Sequence, residues 1–288
     1  MKVNSMYRKY GLSLLLVTAI ATSSFAQKKK ADAKPTPDSK ITYKKTEQGE
    51  LQLHAFLPQG VKPGDNRPGI VFFFGGGWTG GTPAQFYTHA RYLADKGMPA
   101  FCAEYRVAKT HKTDPFACVE DGKSAVRYVR EHAKELGVDP KRIVAAGGSA
   151  GGHVAATTGT IVGFEVGKTD ISSRPQAMIL FNPVIDTGPK GYGYSKLKER
   201  YKEISPVDHV VKGIPPTLIF HGTGDTTVPF ENVVRFDKQM QDLGNQCKLV
   251  DFKGEKHGFF NYGRGDNKAY DKTIEEINEF LGALKYID

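Results

Sequence analysis

A serine flanked by glycines marks one place in this sequence where covalent chemistry could occur. The segment Arg142-Ile-Val-Ala-Ala-Gly-Gly-Ser-Ala-Gly-Gly-His153 follows an apolar run and leads into a helical pattern. A sharp strand-to-helix turn of this kind holds the serine in a strained conformation, and Gly147 and Gly151 avoid collisions with the neighbouring strand and helix. We therefore interpret Ser149 as a nucleophile. The alternative is a glycine-rich turn with an unreactive serine.

Two residues further along the chain could activate Ser149. A serine hydroxyl attacks efficiently only when a base removes its proton and an acceptor orients that base. Asp225 follows the apolar run that ends at Phe220, and His257 follows the next apolar run. The order Ser, Asp, His along the chain is the order found with nucleophile elbows. We predict that His257 is the general base and that Asp225 orients it. The alternatives are that Asp225 caps a helix or turn and that His257 is a solvated loop residue.

A glycine-rich loop could stabilise the negative charge that such an attack creates. The segment Phe72-Phe-Phe-Gly-Gly-Gly-Trp78 runs from an apolar strand pattern into three glycines. The backbone N–H groups of Gly76 and Gly77 could donate to the oxygen of a tetrahedral intermediate. Ala150, at the N-terminus of the helix after the serine, could supply a third N–H, and the helix dipole favours the anion.

The same loop also matches a dinucleotide-binding pattern, Gly75-x-Gly77-x-x-Gly80, with Glu104 as the corresponding ribose ligand. Two strand patterns precede this loop where a dinucleotide-binding fold would begin, and Trp78 would crowd a pyrophosphate. An oxidoreductase is therefore kept only as an alternative from a different class.

The elements that must position these residues are short apolar runs that alternate with helical patterns. This alternation predicts an α/β fold, a mostly parallel central sheet of about eight strands with helices on both faces. We predict one domain over residues 41–288, in which the stretch from Asn182 to Ile214 could form a small lid. Strands are predicted at Ile41–Tyr43, Leu51–Phe56, Gly69–Phe74, Pro99–Tyr105, Arg142–Ala146, Ala177–Phe181, Pro216–Phe220 and Lys248–Phe252. Helices are predicted at Phe86–Lys96, Ala117–Leu136, Gly152–Val162, Phe230–Leu243 and Thr273–Leu284.

The N-terminus has the pattern of a cleavable signal peptide over residues 1–26, with a basic start, an apolar run and small residues before a cleavage point after Ala26. We expect a secreted or periplasmic protein with no membrane span after cleavage. Loss of three basic residues would lower the formal net charge from +9 to +6.

Residues 27–40 are rich in lysine and predict a disordered basic linker. A tether to an anionic surface and a nucleic-acid arm are the alternatives. Because an exported protein rarely meets nucleic acid, we expect no such partner.

The chain has three cysteines, Cys102, Cys118 and Cys247. They are too few and too scattered for a disulfide framework or a zinc site. One bridge could form among them, but buried free thiols are favoured because two of the three lie in apolar runs.

From about Leu51 onward, these motifs resemble an α/β-hydrolase of the esterase and lipase group. The likeness is greatest to bacterial esterases akin to hormone-sensitive lipase and to secreted acetylxylan and feruloyl esterases. The resemblance implies that Ser149 attacks an ester carbonyl, that His257 returns the proton to the leaving alcohol, and that water clears the acyl-enzyme. It implies no organic cofactor and no metal. In that family a histidine usually begins the glycine loop, and here Phe74 stands in its place, so the contacts that support the loop are expected to differ.

The substrate that we expect is a short-chain acyl ester on a carbohydrate, as for an acetylxylan esterase. Residues 27–40 are too polar to form the helical cap of hormone-sensitive-lipase relatives, so the site should be fairly open. Trp78 at its rim and Tyr192 and Tyr194 in the predicted lid could contact a sugar; alternatively, Trp78 packs the loop and the tyrosines form the core of the lid. A lipase, a small-ester carboxylesterase, a peptidase resembling prolyl oligopeptidase and a non-catalytic binding protein remain alternatives.

Overall fold

The computed structural model describes residues 34–167 and 170–288. The predicted signal peptide and the first part of the predicted linker, residues 27–33, lie outside the described residues. Pro37–Asp288 forms one compact unit. The predicted division into signal peptide, linker and catalytic domain stays a prediction.

Eight strands form one sheet, which confirms the fold class expected from the alternating pattern. The first two strands, antiparallel to each other, lie at one edge, and the second is also antiparallel to the strand beside it; the remaining neighbours are parallel. The spatial order is β1-β2-β4-β3-β5-β6-β7-β8. The strands are β1 (Ser39–Thr46), β2 (Gly49–Phe56), β3 (Arg67–Phe73), β4 (Ala100–Ala103), β5 (Val138–Gly148), β6 (Ala177–Phe181), β7 (Thr217–Gly222) and β8 (Cys247–Phe252).

Five helices of nine residues or more accompany the sheet. The first four lie between consecutive parallel strands of the chain, as a parallel sheet requires, and the fifth follows the last strand. No helix in the described residues has the length and apolar character needed to cross a bilayer. The helices are α1 (Tyr87–Asp95), α2 (Pro115–Glu131), α3 (Ala150–Thr160), α4 (Phe230–Asp242) and α5 (Lys268–Ala283).

The sheet is buried on both faces because its central strands are apolar at successive positions. In β3, Val71 and Phe73 belong to one core cluster, while Ile70 and Phe72 belong to a second. Since successive side chains point to opposite faces of a strand, these clusters lie on the two sides of the sheet. This arrangement explains why the strand patterns in the sequence were continuous apolar runs instead of alternating ones.

Helix boundaries differ most from those predicted, since α2 ends at Glu131 instead of Leu136 and α5 begins at Lys268 instead of Thr273. Two strands also begin earlier than predicted, where polar residues extend them. β1 begins at Ser39, inside the predicted linker, and β5 begins at Val138, four residues before the predicted start. Val138 pairs with Arg67 across an irregularity in the register. The Asp139-Pro140 pair, which predicts a turn, therefore lies within an extended segment.

Candidate active site

Ser149 lies at the tight turn between β5 and α3. Its φ of 55° and ψ of −120° place a non-glycine residue in a strained conformation. Gly151 is needed two residues further on, because a Cβ there would collide with the carbonyl oxygens of Phe73 and Phe74. The glycines thus allow the backbone of α3 to approach β3 closely, and the strained turn presents the serine side chain at the carboxyl edge of the sheet.

The structure brings Ser149, His257 and Asp225 together from the ends of three strands. Nε2 of His257 lies 2.9 Å from Oγ of Ser149. Nδ1 of the same ring lies 2.7 Å from Oδ2 of Asp225. The Asp225 side chain is fully buried, whereas 25% of the His257 side chain is exposed. This arrangement can move a proton from the serine to the ring and hold the resulting imidazolium against a carboxylate.

The Asp225 carboxylate is fixed by several donors besides His257. Its Oδ1 accepts hydrogen bonds from the backbone N–H groups of Thr227, at 2.8 Å, and Val228, at 3.0 Å. Burial raises the pKa of Asp225, but hydrogen bonds from His221, His257 and the Val228 amide outweigh it and hold the pKa below its usual value. The Asp225 carboxylate is therefore ionised under the conditions in which it must orient His257 and stabilise the imidazolium.

His221 is a neighbour of the carboxylate that sequence reasoning did not assign to the site. The ring is fully buried, with Nε2 at 3.4 Å from Oδ2 of Asp225 and 3.0 Å from the Val228 carbonyl oxygen, to which it donates. It thereby braces the loop after β7. The available signal was its place at the end of a buried strand, four residues before Asp225.

The predicted oxyanion donors lie beside the serine. Gly76 and Gly77 line the same cavity as Ser149, and Ala150 is the first residue of α3. Across residues 34–167 and 170–288, no acceptor is found for the N–H groups of these three residues. The Gly76 carbonyl accepts hydrogen bonds from Thr79 and Gly80, at 3.0 and 3.2 Å, which fixes the peptide that carries the Gly77 N–H. Unpaired N–H groups of this kind can receive a developing oxyanion.

The glycine loop is supported by residues that carry no recognisable motif. Oε1 of Gln85 accepts the Gly75 N–H at 2.6 Å, and Nε2 of Gln85 donates to Asn261 at 3.0 Å. The Tyr105 hydroxyl donates to the Phe74 carbonyl at 2.5 Å, and the two aromatic rings stack. These contacts support the loop in a chain in which Phe74 stands in place of the family's histidine.

The predicted lid segment contacts the glycine loop from outside. Nζ of Lys196 donates to the Gly77 carbonyl at 3.0 Å and to Oγ1 of Thr79 at 2.7 Å. Tyr192 lines the cavity, and its hydroxyl would lie 2.6 Å from a Cβ on Gly77. Tyr194 does not line this cavity; its hydroxyl donates to Glu199.

Of the two interpretations of Trp78, contact with a substrate at the rim of the site is wrong, and packing of the loop is confirmed. Its side chain is buried, with 1% of the residue exposed. Nε1 donates to Nδ1 of His153 at 3.3 Å, and the ring packs against Tyr192 and Gly193. Segment 182–214 covers the indole, so Trp78 supports the loop instead of offering a surface to a substrate.

The cavity around Ser149 has a volume of about 390 Å³. Its lining has an apolar ring surface from Phe260, backbone surface from the glycines, and polar side chains from Gln85, Asn182 and Arg264. In the described ranges, no three His, Cys, Asp or Glu side chains are grouped so that they could hold a metal ion.

Comparison with known proteins adds a family and solved relatives. The model of the BD-FAE family matches residues 53–190 and 187–240. The structure of a thermophilic esterase from Thermogutta terrifontis with propionate bound is 48% identical, with a TM-score of 0.83 over 86% of this chain and 95% of that chain. Another structure, Thermogutta terrifontis esterase 2 phosphorylated by paraoxon, is also 48% identical, with a TM-score of 0.82 over 86% and 95% of the two chains.

A curated relative is an acetylxylan esterase from Xylanibacter ruminicola, 28% identical over 263 residues. The match covers 85% of this chain and 51% of the relative. The chain thus spans about half the length of the curated relatives it matches.

Proposed function

The chain belongs to the BD-FAE family, an α/β-hydrolase esterase family, and we propose that it hydrolyses carboxylic esters through an acyl-enzyme on Ser149. One observation carries this proposal: a single imidazole, that of His257, lies 2.9 Å from the serine oxygen and 2.7 Å from a buried carboxylate. The esterases among its relatives support the same reaction class.

The reaction follows from the positions of these atoms. Oγ of Ser149 attacks the ester carbonyl while its proton passes to Nε2 of His257, and the carbonyl oxygen becomes the oxyanion. The N–H groups of Gly76, Gly77 and Ala150 donate to that oxygen. Collapse of the intermediate breaks the bond to the alcohol oxygen, which takes the proton from Nε2. Water then attacks the acyl-enzyme by the same steps and releases the acid and the free serine.

The substrate class that we propose is a short acyl group on a carbohydrate. A relative with 28% identity is an acetylxylan esterase, and a Thermogutta esterase with 48% identity was solved with propionate bound. The cavity of about 390 Å³ lies at the small end of the range of about 300–1,000 Å³ for ligand pockets. The N-terminus resembles a signal peptide, which supports secretion, and a secreted enzyme would meet acylated polysaccharides outside the cell.

The experiment that tests the reaction is hydrolysis of p-nitrophenyl esters, from acetate to long acyl chains, by the full chain. We expect activity on short chains only and a loss of about 10⁴-fold or more in kcat for Ser149→Ala, because the nucleophile is removed. Ser195→Ala is the matched control, since Ser195 is exposed and does not line the cavity.

Covalent labelling with paraoxon gives a second readout of the same proposal. We expect paraoxon to label Ser195→Ala and to leave Ser149→Ala unlabelled. Ester hydrolysis that persists in Ser149→Ala would contradict the acyl-enzyme, a preference for long chains would move the substrate to lipids, and cleavage of amides only would favour a peptidase.

A further inference from the structure

The cavity around Ser149 is lined by donors and has no acidic side chain. Among its described lining residues, Gln85, Asn182, Asn261 and Arg264 carry N–H groups, and none is Asp or Glu. Several of these donors are used within the protein: Gln85 bonds Asn261, and Nδ2 of Asn261 donates to the Gly258 carbonyl at 2.8 Å. Arg264 is therefore the lining residue with both a full positive charge and donors to spare.

Arg264 is held beside the catalytic base by that residue's own backbone. Nη1 of the guanidinium donates to the His257 carbonyl oxygen at 2.6 Å. The chain conformation makes room for this contact, because Gly258 has φ +80° and a Cβ there would lie 2.7 Å from Nη1. A larger residue at 258 would displace the guanidinium from the cavity wall.

The charge of Arg264 is not neutralised internally. Its side chain is exposed, and within the described ranges no acid lies within ion-pair distance of it. A guanidinium has five N–H donors, and the contact with His257 uses one. The remaining donors are available for a planar group such as a carboxylate, which guanidinium binds through two parallel hydrogen bonds.

The position of Arg264 indicates which half of the ester it meets. The leaving alcohol oxygen must approach Nε2 of His257 to receive its proton, whereas the carbonyl oxygen faces the N–H groups of Gly76 and Gly77. Arg264 is bonded to His257, not to the glycine loop. The guanidinium therefore lies on the His257 side of the cavity, which is also the side from which the alcohol half leaves.

We propose that Arg264 recognises a carboxylate on the alcohol half of the substrate, so that the preferred esters are short acyl groups on an acidic sugar such as a uronic acid. This inference rests on the proposed esterase function and narrows its substrate class. It makes Arg264 a specificity residue that acts on the part of the substrate that leaves first.

The test compares two acetyl esters of closely matched aryl alcohols, anionic 4-acetoxybenzoate and neutral 4-acetoxybenzamide. We expect the wild type to prefer the anionic ester in kcat/KM, and Arg264→Gln to lower the anionic-to-neutral ratio by about tenfold to a hundredfold. The wild-type preference should weaken as salt is added, because the guanidinium is exposed. Lys256→Gln is the matched control: it removes the same charge from an exposed neighbour outside the cavity lining, and the ratio should stay within about twofold.

Equal ratios in wild type and Arg264→Gln would overturn the proposal, and so would an equal loss on both esters, since Arg264 would then only brace the His257 loop. If Arg264→Gln fails to fold, inhibition of the wild type replaces it: stronger inhibition by free galacturonate than by galactose supports the proposal, and equal inhibition overturns it. Failure of the esterase function itself shows differently, because the wild type would then hydrolyse neither ester, or Ser149→Ala would hydrolyse 4-acetoxybenzamide as fast as the wild type.

Discussion

At the scale of single residues, a comparison of three histidines shows how burial and hydrogen-bond partners determine whether an imidazole can take up a proton. His257 keeps part of its ring exposed and has a partner for each nitrogen. His153 is fully buried; its Nε2 donates to the Ile204 carbonyl at 2.6 Å, and burial lowers its pKa to about 4. His89 is buried among aromatic rings with no partner for either nitrogen in the described chain, and burial lowers its pKa to about 3. The last two rings stay neutral in the folded protein.

These two histidines predict a loss of stability in acid. An unfolded histidine takes up a proton near pH 6.5, whereas folded His89 does so only near pH 3. Between these values the unfolded state binds more protons, so the free energy of unfolding falls as pH falls, by about 1.4 kcal/mol per pH unit for each such group. Below the folded pKa the loss from that histidine is complete.

Replacement of His89 tests this reasoning. We expect His89→Leu to unfold at similar or higher denaturant concentration at pH 7, since two unpaired buried nitrogens are removed. Between pH 6.5 and pH 4 the free energy of unfolding of the variant should fall less steeply than that of the wild type. Denaturant titrations across this range measure both, and parallel pH profiles would refute the role given to His89.

At the scale of elements, the glycine loop between β3 and α1 is held in place by three other parts of the chain. Its backbone forms hydrogen bonds with Gln85 from the turn before α1, with Tyr105 from beyond β4 and with Lys196 from segment 182–214. Elements far apart in the chain therefore set the place of the Gly76 and Gly77 N–H groups. A shift of about 1 Å in such a group can cost about a hundredfold in rate.

Gln85→Met is expected to lower kcat for p-nitrophenyl acetate by about tenfold to a hundredfold, with a much smaller change in KM. The reason is that the Gly75 N–H loses its acceptor and the loop loses its link to Asn261, so donation to the transition state weakens more than binding of the substrate. Gln59→Met is the matched control at an exposed position. Steady-state kinetics of both variants measure the effect, and a change confined to KM would show that Gln85 contacts the substrate instead.

The same elements show what the sequence could and could not predict. Ser149, Asp225 and His257 were accessible because each follows an apolar strand, and parallel strands end at one edge of a sheet. The choice between the two interpretations of Trp78 was not predictable from the sequence, because the burial of its side chain depends on packing by a segment more than a hundred residues later. Gln85, Lys196 and Arg264 also bond to backbone carbonyl or N–H groups, which leave no pattern of residue types to recognise.

At the scale of the whole molecule, the sheet and its two cores hold the structure without a covalent link between strands. Cys102, Cys118 and Cys247 are all free. Cys102 and Cys118 are buried, and burial raises the pKa of both thiols, which keeps them protonated and unreactive. The favoured expectation of free thiols agrees with these positions.

We expect three thiols to be alkylated when the protein is unfolded without reductant, and none of them to react quickly in the native state, because burial and the neighbouring Asp237 also raise the pKa of the half-buried Cys247 thiol. Intact mass after iodoacetamide treatment, with and without prior reduction, measures this. Reduction should also leave the thermal midpoint unchanged. A mass that shows one alkylated thiol before reduction and three after it would reveal a disulfide.

The contact of Gly151 with β3 has a consequence for how such enzymes diversify. Because not even one added carbon fits between α3 and the Phe73 carbonyl, the turn that holds the nucleophile is closed to change. Inherited or laboratory variation that alters the accepted ester must therefore arise elsewhere on the cavity wall. Positions 192, 261 and 264, which lie on surface loops, are where a library for new substrates should be directed.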